Sequence, residues 1–189
     1  MMKRHQTLTA IAATLAATLL SVTHASAGGA NADSGTATAP HCVATPEAVQ
    51  VTCFDTFRKA ISFASGGRIN NAPTSARAAA DDQGLQQRLA STKSASGYVI
   101  AATLYDYANY TGPSLTVWTP RPCKDGNGLD FSQDLKGIGW ANRVSSLQPW
   151  ANCWIKLFKE SGAVEGPYKT NTPDVGNYIN NRAVRIELE

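Results

Sequence analysis

Few residues of this chain could carry acid–base or nucleophilic chemistry. The sequence of 189 residues contains three histidines, His5, His24 and His41. The first two lie in a segment that reads as a cleavable leader, so we expect the mature chain to keep only His41. His41 follows a tail of small residues, and we predict no Ser-His-Asp, Cys-His or multi-histidine zinc arrangement around it.

A pair of carboxylates is the remaining route to hydrolytic chemistry. The C-terminal half offers several acids, but nothing in their spacing selects a pair: Asp106, Asp125, Asp130, Asp134, Glu160 and Glu165. We interpret these residues as solvated charges of loops and strand edges. The sequence therefore predicts that the protein is not an enzyme.

Cysteine chemistry is the third option. The chain has an even number of cysteines, which are Cys42, Cys53, Cys123 and Cys153. None of them forms a C-x-x-C pair typical of a redox or zinc site. Free thiols or a metal site are the alternative to disulfides, and four cysteines allow three disulfide connectivities. We favour Cys42 with Cys53 and Cys123 with Cys153, because each pair then lies inside one compositional segment.

The N-terminus explains why disulfides are expected. Lys3 and Arg4 precede an apolar run at 8–22, and Ala25-Ser26-Ala27 supplies small residues for cleavage. Residues 1–27 are therefore predicted to be a secretory signal peptide, with an uncleaved anchor as the alternative, and the protein to be secreted and extracellular. Cleavage lowers 17 basic and 14 acidic residues to 15 and 14. A net charge of +1 gives no reason to expect nucleic acid or an anionic membrane as partner.

Three segments precede the C-terminal half. Residues 28–41 are small, polar and turn-rich, and we expect a disordered tail. Residues 42–70 hold a Thr-x-x-Asp start signal at Thr52, apolar residues at helical spacing and a Gly66-Gly67 stop, which predicts one amphipathic helix pinned by a Cys42–Cys53 bridge. So short a helix must dock on the following domain or on a partner. Residues 71–97 are predicted to be a linker, partly helical in its Ala-rich stretch.

Residues 98–189 have a different character. Short β-prone runs alternate with Gly, Pro and Asn, as in "YVIAATLYDY", "SLTVWTP", "NRVSSLQPW", "CWIKLFKE", "PYKTNT" and "AVRIELE". These 92 residues are enough for one core between two packed sheets. The segment is therefore predicted to be a small antiparallel β-sandwich or barrel.

A repeated phrase divides this segment into halves. "WANRVSS" begins at Trp140, and "INNRAVR" repeats its pattern 39 residues later. The first half also contains Tyr105, Tyr110 and Gly112 in a Tyr-x4-Tyr-x-Gly arrangement. Together these patterns resemble the two signatures of the βγ-crystallin Greek key. The resemblance implies a mainly β protein with a C-terminal two-Greek-key sandwich, preceded by the short disulfide-linked helical segment.

The second half departs from the family pattern. The interval from Phe158 to Gly166 is one residue longer than that from Tyr105 to Gly112, and Val164 replaces the second aromatic residue. The resemblance implies that Gly112 and Gly166 supply positive φ angles, and that Tyr105 and Phe158 form aromatic corners.

Calcium is the one cofactor that the resemblance suggests. In this family a polar side chain at the second motif position of one half joins a hydroxyl at the fifth position of the other. Ser145 and Asn181 retain such a pair, whereas Asn142 faces Val184 and lacks the hydroxyl. Ser145 with Asn181 is therefore a candidate for one weak calcium site. The alternative is that Asn142, Asn181 and Ser145 only cap turns.

Two functions follow as expectations. The first is a secreted, disulfide-stabilised binding protein, because secreted bacterial-type relatives of the family include metalloproteinase inhibitors and killer-toxin-like proteins. Its partner would be a secreted protease or another extracellular protein, and its contact surface the loop "TPRPCKDGNG" at 119–128. The second is a calcium-modulated structural or stress-related extracellular protein without a dedicated target. In both cases we expect a monomer.

Overall fold

The computed structural model describes residues 40–46, 48–91, 97–124 and 128–189. The predicted signal peptide, and the predicted tail up to residue 39, lie outside the described residues. The strands of the described part are β1 (His41–Ala44), β2 (Thr52–Phe54), β3 (Val99–Tyr107), β4 (Thr111–Thr119), β5 (Phe131–Asp134), β6 (Ser146–Pro149), β7 (Ile155–Lys159), β8 (Val164–Tyr168) and β9 (Ala183–Leu188). The helices are α1 (Phe57–Ala64), α2 (Ala76–Asp81) and α3 (Gln83–Ser91).

The C-terminal half forms two sheets, and each sheet pairs with a segment of the other half. Strands β3, β4 and β6 lie in the first sheet, but β5 of the same half pairs with β9 in the second sheet. In return, Thr172 of the second half forms an isolated bridge with Leu147 of β6. The first half therefore contributes a strand to the second sheet, and the second half contributes a single bridge to the first. This is the two-Greek-key topology that the repeated phrases predict, and the mainly β fold class is confirmed.

Apolar side chains of both halves fill the space between the sheets. Leu104, Leu115 and Leu147 come from the first sheet, while Ile155 and Ile186 come from the second. All five are fully buried. Alternate residues of a strand point to opposite faces, so regular alternation of apolar residues brings these side chains into one core.

The predicted glycine turns are present in both halves. Gly112 has φ +74° and Gly166 has φ +110°. A Cβ atom at Gly112 would lie 2.5 Å from the Tyr107 ring, and one at Gly166 would lie 2.6 Å from the Ile155 carbonyl oxygen. The ring over Gly112 thus belongs to Tyr107, whereas Tyr105 is fully buried and meets Tyr110 edge-on at 5.6 Å.

The first half of the predicted helical segment is a β-hairpin. Strands β1 and β2 pair antiparallel with Cys42 opposite Cys53, and these residues form a disulfide. Strand β1 also pairs in parallel with β4, so the hairpin extends the first sheet. His41, which we assigned to the disordered tail, begins β1. The bridge therefore stabilises a sheet edge, and the expectation that it pins the start of the helix is wrong.

Helix α1 begins later than the sequence signal indicates. Its N-cap is Thr56, whose hydroxyl accepts a hydrogen bond from the Lys59 N–H, and Gly66 and Gly67 follow its end with positive φ. Thr52 lies in β2, so the Thr-x-x-Asp pattern there does not cap a helix. The predicted apolar face is nevertheless buried at Phe57 and Ile61.

Residues 76–91, within the predicted linker, form helices α2 and α3. Leu85 and Leu89 of α3 are buried with Phe57 and Ile61 of α1 in a second core cluster, which also includes Val43 of β1. The helices therefore pack on the first sheet, and α1 docks on the β-domain. The division of the chain at residue 98 stays a prediction about independent folding. None of the helices in the described ranges is long and apolar enough to cross a membrane.

Candidate functional site

The structure brings the predicted pair Ser145 and Asn181 together. Ser145 lies just before β6, and its N–H donates a hydrogen bond to the Tyr105 carbonyl. Asn181 lies just before β9, and its N–H donates a hydrogen bond to the Val144 carbonyl. Asn181 adopts a left-handed conformation, φ 54°, which asparagine tolerates better than most residues. The Ser145 hydroxyl lies 3.1 Å from the Asn181 side-chain oxygen.

Two further oxygen atoms converge on the same hydroxyl. The Ser145 Oγ atom lies 2.8 Å from the Asp106 carbonyl oxygen and 2.7 Å from the Asn180 Oδ1 atom. A hydroxyl has one proton, so it can donate to only one of these three acceptors. The remaining oxygens suit a hard cation such as calcium, which prefers oxygen ligands.

Asn180 and the Asp106 carbonyl are parts of this site that the sequence pattern did not predict. Asn180 stands beside Asn181 in the repeated phrase, so its position was a usable signal. A backbone carbonyl carries no sequence signature, because every residue has one. Together, Ser145, Asn180, Asn181 and the Asp106 carbonyl form what we call the oxygen cluster.

The oxygen cluster has no carboxylate ligand. The nearest one in sequence, that of Asp106, receives hydrogen bonds from Arg143 at 3.1 and 2.7 Å. The Arg143 guanidinium in turn lies 4.6 Å from the centre of the Trp140 ring. Neutral oxygens bind calcium weakly because carboxylate charge supplies much of the affinity.

The symmetry-related position contains basic side chains. Val184 is 8% exposed and brings no hydroxyl, while Asn142 is exposed. Val184 lines an open cleft of about 380 Å³ together with Asp134, Lys136, Lys159, Glu160, Gly162 and Arg185. Lys136 pairs with Glu160 at 2.8 Å, and the Arg185 guanidinium stacks 3.9 Å from the centre of the Phe158 ring. The three basic side chains of this cleft outnumber its two carboxylates, and the excess positive charge disfavours a second calcium ion.

The second predicted disulfide fixes the base of the loop at 119–130, which we call the braced loop. Cys123 is bonded to Cys153, and the Cys123 N–H donates to the Ala151 carbonyl at 3.1 Å. Arg121 and Asp130, near opposite ends of the loop, form an ion pair at 2.6 Å. With the bridge described above, both favoured pairings are confirmed.

Asp130 forms a second contact across the braced loop. Its other carboxylate oxygen accepts a 2.7 Å hydrogen bond from the Lys124 N–H. Burial disfavours the charged carboxylate, but the hydrogen bonds from Lys124 N–H and Arg121 outweigh it and hold the pKa of Asp130 below its ordinary value. Asp130 is therefore a charged structural residue of the loop. Residues 125–127 of the loop lie outside the described residues.

His41 lies away from both features. Its Nδ1 atom shares a 2.8 Å hydrogen bond with the Ser114 hydroxyl, and Ser114 is fully buried. This serine cannot meet a substrate without opening the sheet. Within the described ranges, no group of three or more His, Cys, Asp or Glu residues is placed to hold a metal ion.

Comparison with known proteins gives matches at the level of structure. A βγ-crystallin domain from Clostridium beijerinckii has a TM-score of 0.36 and 20% identity, and the match covers 47% of this chain and 95% of that one. A βγ-crystallin domain from Flavobacterium johnsoniae has a TM-score of 0.35 and 19% identity, with 47% and 93% coverage. The sequence matches no protein-family model and no curated protein.

The class of protein follows from the strand order and the paired motifs. Strand β5 of the first half joins the second sheet, Thr172 of the second half bridges to the first sheet, and each half carries a positive-φ glycine and a repeated Asn-Arg phrase. Because the TM-scores are below 0.5, the assignment rests on this topology. The C-terminal part has a βγ-crystallin-like fold, extended at one edge by a disulfide-bonded hairpin and covered by three short helices.

Proposed function

We propose that this chain is a secreted, monomeric binding protein that presents the braced loop to an extracellular protein. The observation that carries the proposal is the double closure of the loop by the Cys123–Cys153 bridge and the Arg121–Asp130 ion pair. A loop whose two ends are fixed before binding loses less entropy when it meets its partner. Pro120, Arg121 and Lys124 are exposed on it.

A secreted protease is the partner class to test first, because an inhibitor needs a rigid exposed loop. We expect the protein to inhibit at least one of two test proteases, the metalloprotease thermolysin and the serine protease subtilisin. Lys124→Glu should weaken inhibition through lost contact, and Arg121→Ala should weaken it through a looser loop. Arg68→Ala removes an exposed basic residue elsewhere and should leave inhibition unchanged.

The measurement is residual protease activity against inhibitor concentration, together with capture of secreted proteins on the immobilised chain. Loss of inhibition in both loop variants, but not in the control, would support the proposal. If neither protease is inhibited and no captured protein depends on Lys124 or Arg121, the braced loop is not a contact surface.

The oxygen cluster favours a second function, that of a calcium-modulated extracellular protein. Three acceptors surround the single Ser145 hydroxyl, and calcium would take up the excess oxygens. Without a carboxylate we expect one weak site, with a dissociation constant in the high micromolar to millimolar range typical of extracellular modules.

Thermal melting with calcium chloride or EDTA tests this site. At about ten times the dissociation constant, calcium should stabilise the fold by about 1.4 kcal/mol. Ser145→Ala should remove this stabilisation by calcium. Asn142 is the residue of the first half that corresponds to Asn181 and faces Val184, so Asn142→Ala should leave the stabilisation unchanged. Two tight sites in a calcium titration would contradict the interpretation of Val184 and Arg185 as incompatible with calcium.

A further inference from the structure

A row of aromatic side chains crosses the junction between the hairpin, the helices and the first sheet. It consists of Phe54 from β2, Phe63 from α1, Trp118 from β4 and Tyr98 just before β3. Successive ring centres lie 5.3, 5.8 and 5.0 Å apart. We call this set the aromatic row. Strand β2, helix α1, strand β4 and the residue that precedes β3 each contribute one ring to this surface.

The aromatic row is exposed yet firmly supported. Phe63 is 45% exposed, and the other three rings are half-buried. Phe54 and Trp118 pack against the second core cluster beneath them. Large exposed aromatic side chains that are fixed from below are typical of binding surfaces, since little rotamer entropy is lost on contact.

An open cleft lies at each end of the row. The cleft beside Phe54 and Phe63 has a volume of about 550 Å³ and is also lined by Lys59, Ser62, Gly66 and Gly67. The cleft beside Tyr98 has a volume of about 240 Å³ and is also lined by Thr45, Pro46, Pro120 and Phe131. The row and its clefts together offer an elongated surface to a chain-like ligand.

Unused hydrogen-bonding groups accompany the rings. The hydroxyls of Thr45 and Ser62, and the indole N–H of Trp118, make no hydrogen bond within the described ranges. Among the residues that the structure describes, Lys59 is the one charged side chain that lines these two clefts, and it pairs with Asp55 at 2.8 Å. The described part of the surface therefore combines apolar ring faces with free polar atoms and little net charge.

We propose that the aromatic row binds a neutral saccharide chain. A pyranose ring has an apolar C–H face, which packs on an aromatic ring, and an edge of hydroxyls, which would satisfy Thr45, Ser62 and the Trp118 indole. An apolar peptide segment would cover the same rings but leave these polar groups unpaired, which costs free energy. The low charge favours a neutral ligand over an anionic one.

Titration with cellohexaose, chitohexaose and maltohexaose tests the proposal on the full mature chain. Tryptophan fluorescence and calorimetry should detect binding of at least one hexasaccharide. Trp118→Ala and Phe63→Ala should each weaken it by about tenfold. Tyr178→Ala removes an aromatic residue that is 50% exposed on another part of the fold and should leave binding unchanged.

Two outcomes would overturn the proposal. The first is that no hexasaccharide binds, or that binding survives both row substitutions. The second is that the chain self-associates in sedimentation experiments and Phe63→Ala abolishes the association, which would identify the row as a protein interface. Phe63 is a surface residue, so its variant keeps the test valid even if Trp118→Ala unfolds. Among the described residues of the braced loop, Pro120 alone lines one of these clefts, so Lys124→Glu should leave saccharide binding intact.

Discussion

His41 packs at the start of β1 with 6% of its surface exposed, and its ring meets the edge of Phe57 at 5.7 Å. Burial lowers the pKa of His41 below its ordinary value of 6.5, while the nearby Asp55 carboxylate partly opposes this shift. The folded protein therefore favours neutral imidazole. In the unfolded chain the same residue binds a proton at ordinary histidine pH.

This difference predicts a loss of stability in mild acid. Below about pH 6.5 the unfolded chain binds more protons than the folded one, so stability should fall as the pH drops from 7 to 5. In a chain of residues 40–189, His41→Gln should flatten this dependence, because that range contains no other histidine. Urea denaturation midpoints between pH 5 and 7.5 measure the effect, and an equally steep dependence in the variant would contradict the assignment to His41.

Helix α1 shows how one element joins the second core cluster to the first sheet. Phe57 is 1% exposed at the start of the helix, whereas Phe63 on the same helix is 45% exposed. The two residues have the same side chain and differ in burial. They are therefore a matched pair for measuring how firmly the helix is docked.

We expect Phe57→Ala to destabilise the fold by about 3–5 kcal/mol, the usual cost of removing a buried phenylalanine side chain. Phe63→Ala should cost less than about 1 kcal/mol, since much of its ring already meets water. Chemical denaturation of both variants gives the comparison. Equal and small effects would show that α1 contributes little to the folded state.

The sequence predicts the strands of the two Greek keys better than it predicts the hairpin that extends the first sheet. Strands β3, β4, β6, β7 and β9 follow from β-prone runs, and the Ser145–Asn181 contact follows from the repeated phrase. The short strand β5 has no apolar run of its own, so only its pairing with β9 identifies it. The parallel pairing of β1 with β4 joins residues about 70 positions apart. No local pattern encodes such a contact.

The aromatic row could not be predicted from the sequence either. The sequence places Phe54 in one predicted helical stripe with Phe57 and Ile61. In the structure Phe54 belongs to β2 and meets Phe63 of α1 through the tertiary fold. Tyr98 and Trp118 are brought together by the pairing of β3 with β4. Tertiary contacts, which local spacing does not report, create this surface.

At the scale of the molecule, the first sheet has apolar residues on both faces. One face meets the second sheet, and the other meets the helices through Val99, Ile100, Tyr105 and Trp150. The inter-sheet core is supplied almost entirely by residues after position 98. The helical layer is supplied mainly by residues before that position.

A chain truncated to residues 97–189 should therefore fold but melt at a lower temperature than residues 40–189. The inter-sheet core and the Cys123–Cys153 bridge remain, while the outer face of the first sheet becomes exposed to water. Circular dichroism melts of the two chains provide the measurement. An unfolded truncated chain would refute the boundary at residue 98, and an identical melting temperature would show that the helical layer adds no stability.

The Cys123–Cys153 bridge also decides what a cut in the exposed loop would do. Hydrolysis of a peptide bond between these cysteines leaves two fragments that remain covalently joined. After a cut near the loop tip, the upstream fragment keeps β3 and β4, the downstream fragment keeps β5 to β9, and β6 still pairs with β3. A nicked molecule would therefore migrate as one species in a non-reducing gel and separate into two fragments only after the bridge is reduced.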